Sequence, residues 1–366
     1  MSAGRTVVAV IALLSGFTLH GQCSTVSFRG AAEWYGGQQP VALKFANING
    51  DRWPDLVVAS RDQNRKPLGG LTVLVGDGGR LWPVHQELVP THNVQSFVVA
   101  DLDNDGDDDV AYLQGLTDGD ETSGRHVRIL LNFDGQLRET NALLAAGSSQ
   151  RTLITADFNG DDRADLALPT DSALLVWLGR GDGAFNQLSL PVPAGREAVA
   201  GDLDRDGRDE LVIGDTAPDK TQRILIYKGS SSGLGATRAI ALPSEAAFVS
   251  IADVDGDGAK DIVTNDYFTL VVNVVLRAGD PQRYEVRSAF ADVAGYSPPL
   301  VADLNGDGAD ELTLYDWVLG VRSLFGSATA QLPGGRGHYV PRLPGTGGLG
   351  PGELDAADVD GDADLD

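Results

Sequence analysis

The chain has 366 residues, 42% hydrophobic and 22% charged, enough for one large all-β domain or two ordinary ones. A net charge of −24 argues against nucleic acid as a partner, since phosphate binding needs clustered Lys and Arg. The single cysteine, Cys23, excludes an internal disulfide, and 46 glycines predict frequent turns.

The chain opens as an export signal does. Arg5 gives a short positive start, and Val7 to Leu14 form an apolar run too short to span a bilayer. Gly21 and Cys23 are small residues at −3 and −1 to a cut before Ser24. A signal peptide is therefore expected over residues 1–23 and the mature domain over 24–366, secreted, periplasmic or at the cell surface. An alternative makes Cys23 a lipidated N-terminus, which the preceding Gln22 fits badly.

From Asn47 onward one acidic loop recurs seven times, with starts 45 to 56 residues apart. The copies are NINGDRWPD at Asn47, DLDNDGDDD at Asp101, DFNGDDRAD at Asp157 and DLDRDGRDE at Asp202. They continue with DVDGDGAKD at Asp253, DLNGDGADE at Asp303 and DVDGDADLD at Asp358. A short apolar run such as SFVVA precedes each loop and one such as VAYL follows it. A third apolar segment then ends in a Gly-rich turn, as in LLVWLGRGDGAF, and a weaker fourth leads to the next unit. These β-branched runs bounded by Gly, Asn and Asp are strand signals, and four strands per unit is the size of a propeller blade.

Within each loop, positions 1, 3, 5 and 9 carry Asp, Asn or Glu. They are Asn47, Asn49, Asp51 and Asp55; Asp101, Asp103, Asp105 and Asp109; Asp157, Asn159, Asp161 and Asp165; and Asp202, Asp204, Asp206 and Glu210. The later copies supply Asp253, Asp255, Asp257 and Asp261; Asp303, Asn305, Asp307 and Glu311; and Asp358, Asp360, Asp362 and Asp366. Alternate residues of a tight loop turn their oxygens to one centre, and calcium wants six to eight of them. Position 7 would offer its backbone carbonyl, so its side chain is free to vary: Asp107, Arg163, Arg208, Ala259, Ala309 and Asp364 in loops two to seven. Up to seven calcium ions are expected on this reading. The alternative is an Asx-rich turn with no metal. An EF-hand needs Glu at position 12, where these loops have apolar residues such as Val58, Tyr112 and Ile213. Arg52 replaces the turn glycine in the first loop, which is expected to be the weakest.

These loops, with their DLVV-like strands and LLNFDGQL-like hairpins, resemble the FG-GAP/VCBS repeat proteins, whose propeller is also found at the N-terminus of integrin α chains. The resemblance covers about Ser27 to Asp366. It implies an all-β, seven-bladed β-propeller of four-stranded antiparallel blades, calcium in the blade loops, and ligand binding or adhesion outside the cell. The stretch STVSFRGAAEWY is expected to serve as an outer strand of the seventh blade. Because the sequence ends with the seventh loop, that blade is expected to be incomplete and the chain truncated; a six-blade ring with a terminal tail is the alternative.

No catalytic constellation is expected. The five histidines, His20, His85, His92, His126 and His338, lack a metal-ligand spacing. GSSSG at Gly229 to Gly233 matches a nucleophile elbow formally, but reads as a hairpin. RGD at Arg180 to Asp182 lies in a similar turn. Trp34, Trp53, Trp82, Trp177 and Trp317 would stack on sugars only if gathered on one face. A non-catalytic module for a protein or polysaccharide ligand is expected, with a glycan-active enzyme or a structural domain of a larger cell-surface protein as rivals.

Overall fold

Each sequence unit folds as an antiparallel meander, because Gly and Asx turns interrupt its apolar runs every few residues. The computed structural model describes residues 8–14, 28–35, 40–60, 70–76, 84–88, 94–114, 125–147, 152–190, 197–266, 271–277, 283–290, 299–304, 308–316, 320–324 and 338–341. Among them are six four-stranded sheets whose strands neighbour one another in chain order. Blade 1 comprises Pro40–Ala46, Asp55–Ser60, Leu71–Leu74 and Val84–Leu88. Blade 2 comprises Val94–Ala100, Asp109–Gln114, Arg125–Phe133 and Gln136–Gly147. Blade 3 holds Ile154–Ala156, Asp165–Pro169, Leu174–Gly179 and Phe185–Leu190. Blade 4 holds Ala198–Gly201, Glu210–Thr216, Gln222–Ser230 and Gly233–Leu242. Blade 5 follows with Phe248–Ala252, Asp261–Asp266, Val271–Arg277 and Tyr284–Phe290. Blade 6 has Leu300–Ala302, Glu311–Asp316, Gly320–Leu324 and His338–Pro341.

The sheets stack face to face, so the core is divided into layers between neighbouring blades. Leu130 and Leu137 of blade 2 meet Val57 and Val73 of blade 1. Trp177 and Leu168 of blade 3 meet Leu113 and Ile129 of blade 2. Comparable layers join blades 3 to 4, 4 to 5 and 5 to 6. A strand covered on both faces needs apolar residues without alternation, and the second strands have them: Asp109–Gln114 and Asp165–Pro169 are buried throughout. The fourth strand Phe185–Leu190, at the outer edge, alternates toward solvent. The first strands of successive blades contact each other, as the inner strands of a propeller do. Three polar contacts tie these inner segments: Ser96 Oγ accepts the Leu153 N–H at 3.1 Å, Thr152 Oγ1 donates to Glu197 at 3.0 Å, and Ser250 Oγ donates to the Pro299 carbonyl at 2.8 Å.

The fold is therefore an all-β propeller of four-stranded antiparallel blades, but seven blades are not what the described residues form. Phe28–Tyr35, expected at the outer edge of a seventh blade, instead pairs antiparallel with Val8–Leu14. Its backbone groups on that side are thus already engaged. Val8–Leu14 falls within the apolar run read as the heart of an export signal. The seventh loop, with Asp358, Asp360, Asp362, Asp364 and Asp366, lies outside the described residues, as does Cys23.

The turn from third strand to loop is a close backbone approach. A Cβ at Gly179 would stand 2.3 Å from the Ala164 carbonyl oxygen. The variant Gly179→Ala is expected to lose about 1–3 kcal/mol of stability through overpacking, read as a lower urea midpoint. An unchanged midpoint would show that the approach relaxes freely.

Candidate metal centres

Each acidic loop joins the first and second strands of a blade, so the stacking of blades brings successive loops to one edge of the propeller. Within a loop the four conserved positions do different work.

Position 1 organises the turn. Asp101 Oδ1 accepts the N–H of Asn104 at 2.6 Å and of Asp105 at 3.2 Å, and its Oδ2 that of Gly106 at 2.9 Å. Asp157 does the same for Gly160, Asp161 and Asp162. Asp202, Asp253 and Asp303 each hold the N–H of the position-6 glycine, at 3.0, 2.7 and 2.8 Å. Position 6 has positive φ in loops two to six: Gly106, Asp162, Gly207, Gly258 and Gly308. Asp162, with its short polar side chain, tolerates that geometry in the third loop. In the first loop Asn47 occupies position 1, and Arg52 stacks on Trp53 at 4.2 Å.

Position 3 is half-buried and position 5 exposed, and the two lie together in the turn. The Asn159 Oδ1 accepts the Asp161 N–H at 2.9 Å, and Asn49 pairs with Asp51 in the same way. Where position 3 is Asp, the carboxylates are crowded. Asp101, Asp103 and Asp109 present oxygens within 4.8 Å of one another, as do Asp202, Asp204 and Asp206, and Asp253, Asp255 and Asp261. Buried oxygens of Asp103, Asp204 and Asp253 have no hydrogen-bond partner among the described residues. Burial, then the neighbouring Asp105 and Asp101, push the Asp103 carboxyl up; burial, then Asp257, does so for Asp255. A divalent cation fits such a donor set: hard oxygens, excess negative charge and unpartnered atoms. Asp105, Asp107 and Asp257 lie in the same turns, and Asp107, Arg163, Arg208 and Ala259 stand at position 7. In the sixth loop Asp303, Ala309 and Glu311 are placed, whereas Asn305 and Asp307 lie outside the described residues.

Position 9 has a role that the spacing did not reveal. Its carboxylate is buried at the start of the second strand and staples the loop to the third strand. Asp109 accepts the Leu102 N–H at 2.8 Å and the Asn132 N–H at 2.7 Å. Asp165 accepts Phe158 at 3.0 Å and Gly179 at 2.7 Å. Asp55 takes Ile48, Asn49 and Gly76, and Asp261 takes Val254 and Arg277. Glu210 and Glu311 reach the Leu203 and Leu304 N–H groups at 2.9 and 2.8 Å. Burial raises Asp109, Asp165, Asp261 and Glu210 to about 7, against the lowering effect of their N–H donors.

Loops also bond across blades. At position 8, Asp108, Asp209 and Asp310 accept the N–H of Asn47, Asp157 and Asp253 in the preceding loop, at 2.7, 2.8 and 2.7 Å. Pro54, Ala164 and Lys260 occupy position 8 in the alternate loops, so these clamps join blades 1–2, 3–4 and 5–6.

The other candidates resolve simply. Gly229 to Gly233 is a strand–turn–strand, with Ser230 paired to Gly233, and so is not an elbow entering a helix. Arg180 and Asp182 of the RGD tripeptide bond each other at 3.3 Å in an exposed turn. Trp177 is buried between blades 2 and 3, away from any ligand face, and Trp53 lies under Arg52. The side chains of Trp34, Trp82 and Trp317 lie outside the described residues, as do those of His20, His85, His92 and His338.

Known proteins show the same repeat. A family model described as FG-GAP-like repeat matches residues 47–112, 157–213 and 202–264. No curated protein matches. A chain of the Photorhabdus luminescens Tc holotoxin pore is similar over 81% of this chain at 17% identity, with a TM-score of 0.43. The match spans only 15% of that toxin chain.

Two outcomes test the staple. Asp165→Ala leaves the buried N–H groups of Phe158 and Gly179 without their acceptor, and about 1–3 kcal/mol should be lost for each in chemical denaturation. The raised position-9 carboxyls bind protons more tightly folded than unfolded. Their contribution is therefore fully present below about pH 4 and lost as pH rises through about 7. Thermal melts of chelator-treated protein should fall in Tm across that window; a Tm rising from pH 5 to 8 would contradict the assignment.

Proposed function

We propose that this FG-GAP repeat β-propeller is a calcium-loaded, non-catalytic binding module that works outside the cell. The observation that carries the reading is the set of three carboxylate triads on one edge of blades 2, 4 and 5, their oxygens within 4.8 Å of one another. Calcium would be held by Asp101, Asp103 and Asp109 in one loop and by Asp253, Asp255 and Asp261 in another. The Asn-containing loops offer amide oxygens in place of carboxylates and would bind more weakly. Bound ions would neutralise loops that otherwise hold like charges together, and so stiffen one rim of the propeller.

A stiff rim beside a stacked-blade scaffold suits recognition of an extracellular protein or polysaccharide, since binding residues gather on loops positioned by rigid elements. The perturbed carboxylates support a non-catalytic role. Those at position 9 accept backbone N–H groups as blade staples, and Asp109 and Asp261 also stand in the triads that would hold calcium. Among the described residues no helix is long and apolar enough to cross a membrane. Export would follow from the charged and apolar start of the chain.

Thermal unfolding with calcium, magnesium or chelator tests the proposal. A ligand that binds only the folded state stabilises it by about 2.7 kcal/mol at a hundred times its Kd. Calcium should therefore raise the Tm clearly above the value in chelator, and magnesium should raise it less. Equal melting temperatures in calcium and chelator would remove the metal from the function.

A further inference from the structure

The fourth loop differs from its neighbours in what lies against it. Strand register makes the comparison exact in kind: the first residue after position 9 pairs with Leu74, Leu130, Trp177, Tyr227 and Val275 in blades 1 to 5. The residue following each of those partners occupies an equivalent register position. It is Val75, Leu131, Leu178, Lys228 and Leu276, so four blades place an aliphatic side chain there and blade 4 places a lysine. Lys228 Nζ bonds Asp204 and lies 3.1 Å from Asp206. These are two of the three carboxylates in the fourth-loop triad. Two further cations adjoin the same loop. Arg208 Nη1 is 3.7 Å from Asp206, and Arg277 of blade 5 donates to the carbonyls of Leu203 and Asp204.

We infer that Lys228 is the resident cation of the fourth loop, so that this loop closes without a divalent ion while loops 2 and 5 take one. The inference rests on the calcium reading of the other loops. Its chemistry is simple. An ammonium on a four-carbon stem supplies one positive charge and up to three hydrogen bonds at no cost of capture from solution. A divalent ion entering the loop would have to displace it, and the displaced ammonium would remain tethered within Coulomb range of the ion. Loops 2 and 5 carry comparable carboxylate triads, and the residues there in register with Lys228, Leu131 and Leu276, are uncharged and pack into the layers between blades. The edge of the propeller thus combines calcium-dependent loops with one that stays ordered when calcium is removed.

The experiment compares the full chain with Lys228→Leu, which restores the aliphatic residue of the other blades, and with Lys228→Arg. Each is stripped of metal, then titrated with calcium by equilibrium dialysis and melted in chelator. Lys228→Leu should bind one more calcium per chain than the parent. It should also melt lower in chelator, with the gap closing in calcium, while Lys228→Arg behaves as the parent. Lys228 is exposed, and the chelator melt reports any loss of folding directly. If the parent binds calcium and Lys228→Leu binds the same number with an unchanged chelator Tm, the inference is overturned alone. If the parent binds none but Lys228→Leu binds one, Lys228 remains the resident cation of the fourth loop, and the part of the inference that gives ions to loops 2 and 5 falls with the calcium reading. If neither binds, both are overturned.

Discussion

The buried carboxylate at the ninth loop position is the contact on which the rest of each blade depends. It begins the second strand, where both faces of the sheet are covered, so it has little water to solvate its charge. Two backbone N–H groups replace that water: one from the second residue of the loop, one from the end of the third strand. A single side chain thus sets where the loop starts, where the second strand begins and where the third strand ends. Because the donors are backbone groups, the device is indifferent to the side chains around it. It repeats in blades whose partners are Gly76, Asn132, Gly179 and Arg277. Asp and Glu both serve, with Glu210 and Glu311 spanning the same gap to the loop.

The same second loop residue passes the constraint to the next blade. Its N–H is held by the staple, its side chain is buried, and its carbonyl points outward from the blade. The Ile48 carbonyl accepts Asn132 Nδ2 at 2.7 Å, that of Leu102 accepts the Gly183 N–H at 3.2 Å, and that of Phe158 accepts the Ser230 N–H at 3.0 Å. The Leu203 carbonyl takes Arg277. Four different donors from the following blade therefore meet one conserved acceptor. The position-8 aspartates add a second bond, but only in every other interface. On the loop edge, blades 1–2 and 3–4 are accordingly joined by both contacts and 5–6 by the position-8 clamp, whereas 2–3 and 4–5 have the carbonyl contact.

Much of this was legible in the chain because the loop repeats. Seven copies at blade-sized spacing made the all-β propeller and its four-strand unit readable, and the strands fall where the apolar runs are. Blade number was less legible. The repeat counts loops, whereas a blade needs strands that pair, and Phe28–Tyr35 found its partner in Val8–Leu14. The division of labour within the loop was also hidden. Constancy at positions 1, 3, 5 and 9 looks alike in sequence whether an oxygen faces a cation, closes a turn or staples a strand. The one textual signal for the staple was the invariant apolar residue directly after position 9, which marks that carboxylate as lying inside the sheet. Lys228 left no trace in the loop motif, because it comes from the third strand and only strand register brings it over Asp204.

The electrostatics of the edge follow from which loops hold Asp and which hold Asn. Loops 2, 4 and 5 have Asp at both first and third positions, and these three gather carboxylate triads. In loops 1 and 3 the third position is Asn49 or Asn159, whose amide N–H reaches the fifth-position aspartate at 2.8 or 3.2 Å. An amide therefore closes its loop by donating where a carboxylate can only accept. The third-position amides of loops 1 and 3 are thus partnered within their turns, whereas buried oxygens of Asp103 and Asp204 at the same position lack donors among the described residues. In loop 4 the protein's own ammonium, Lys228 Nζ, bonds Asp204 and lies 3.1 Å from Asp206. In loops 2 and 5 the residues in register with Lys228 are the aliphatic Leu131 and Leu276, which bring no charge to the carboxylates.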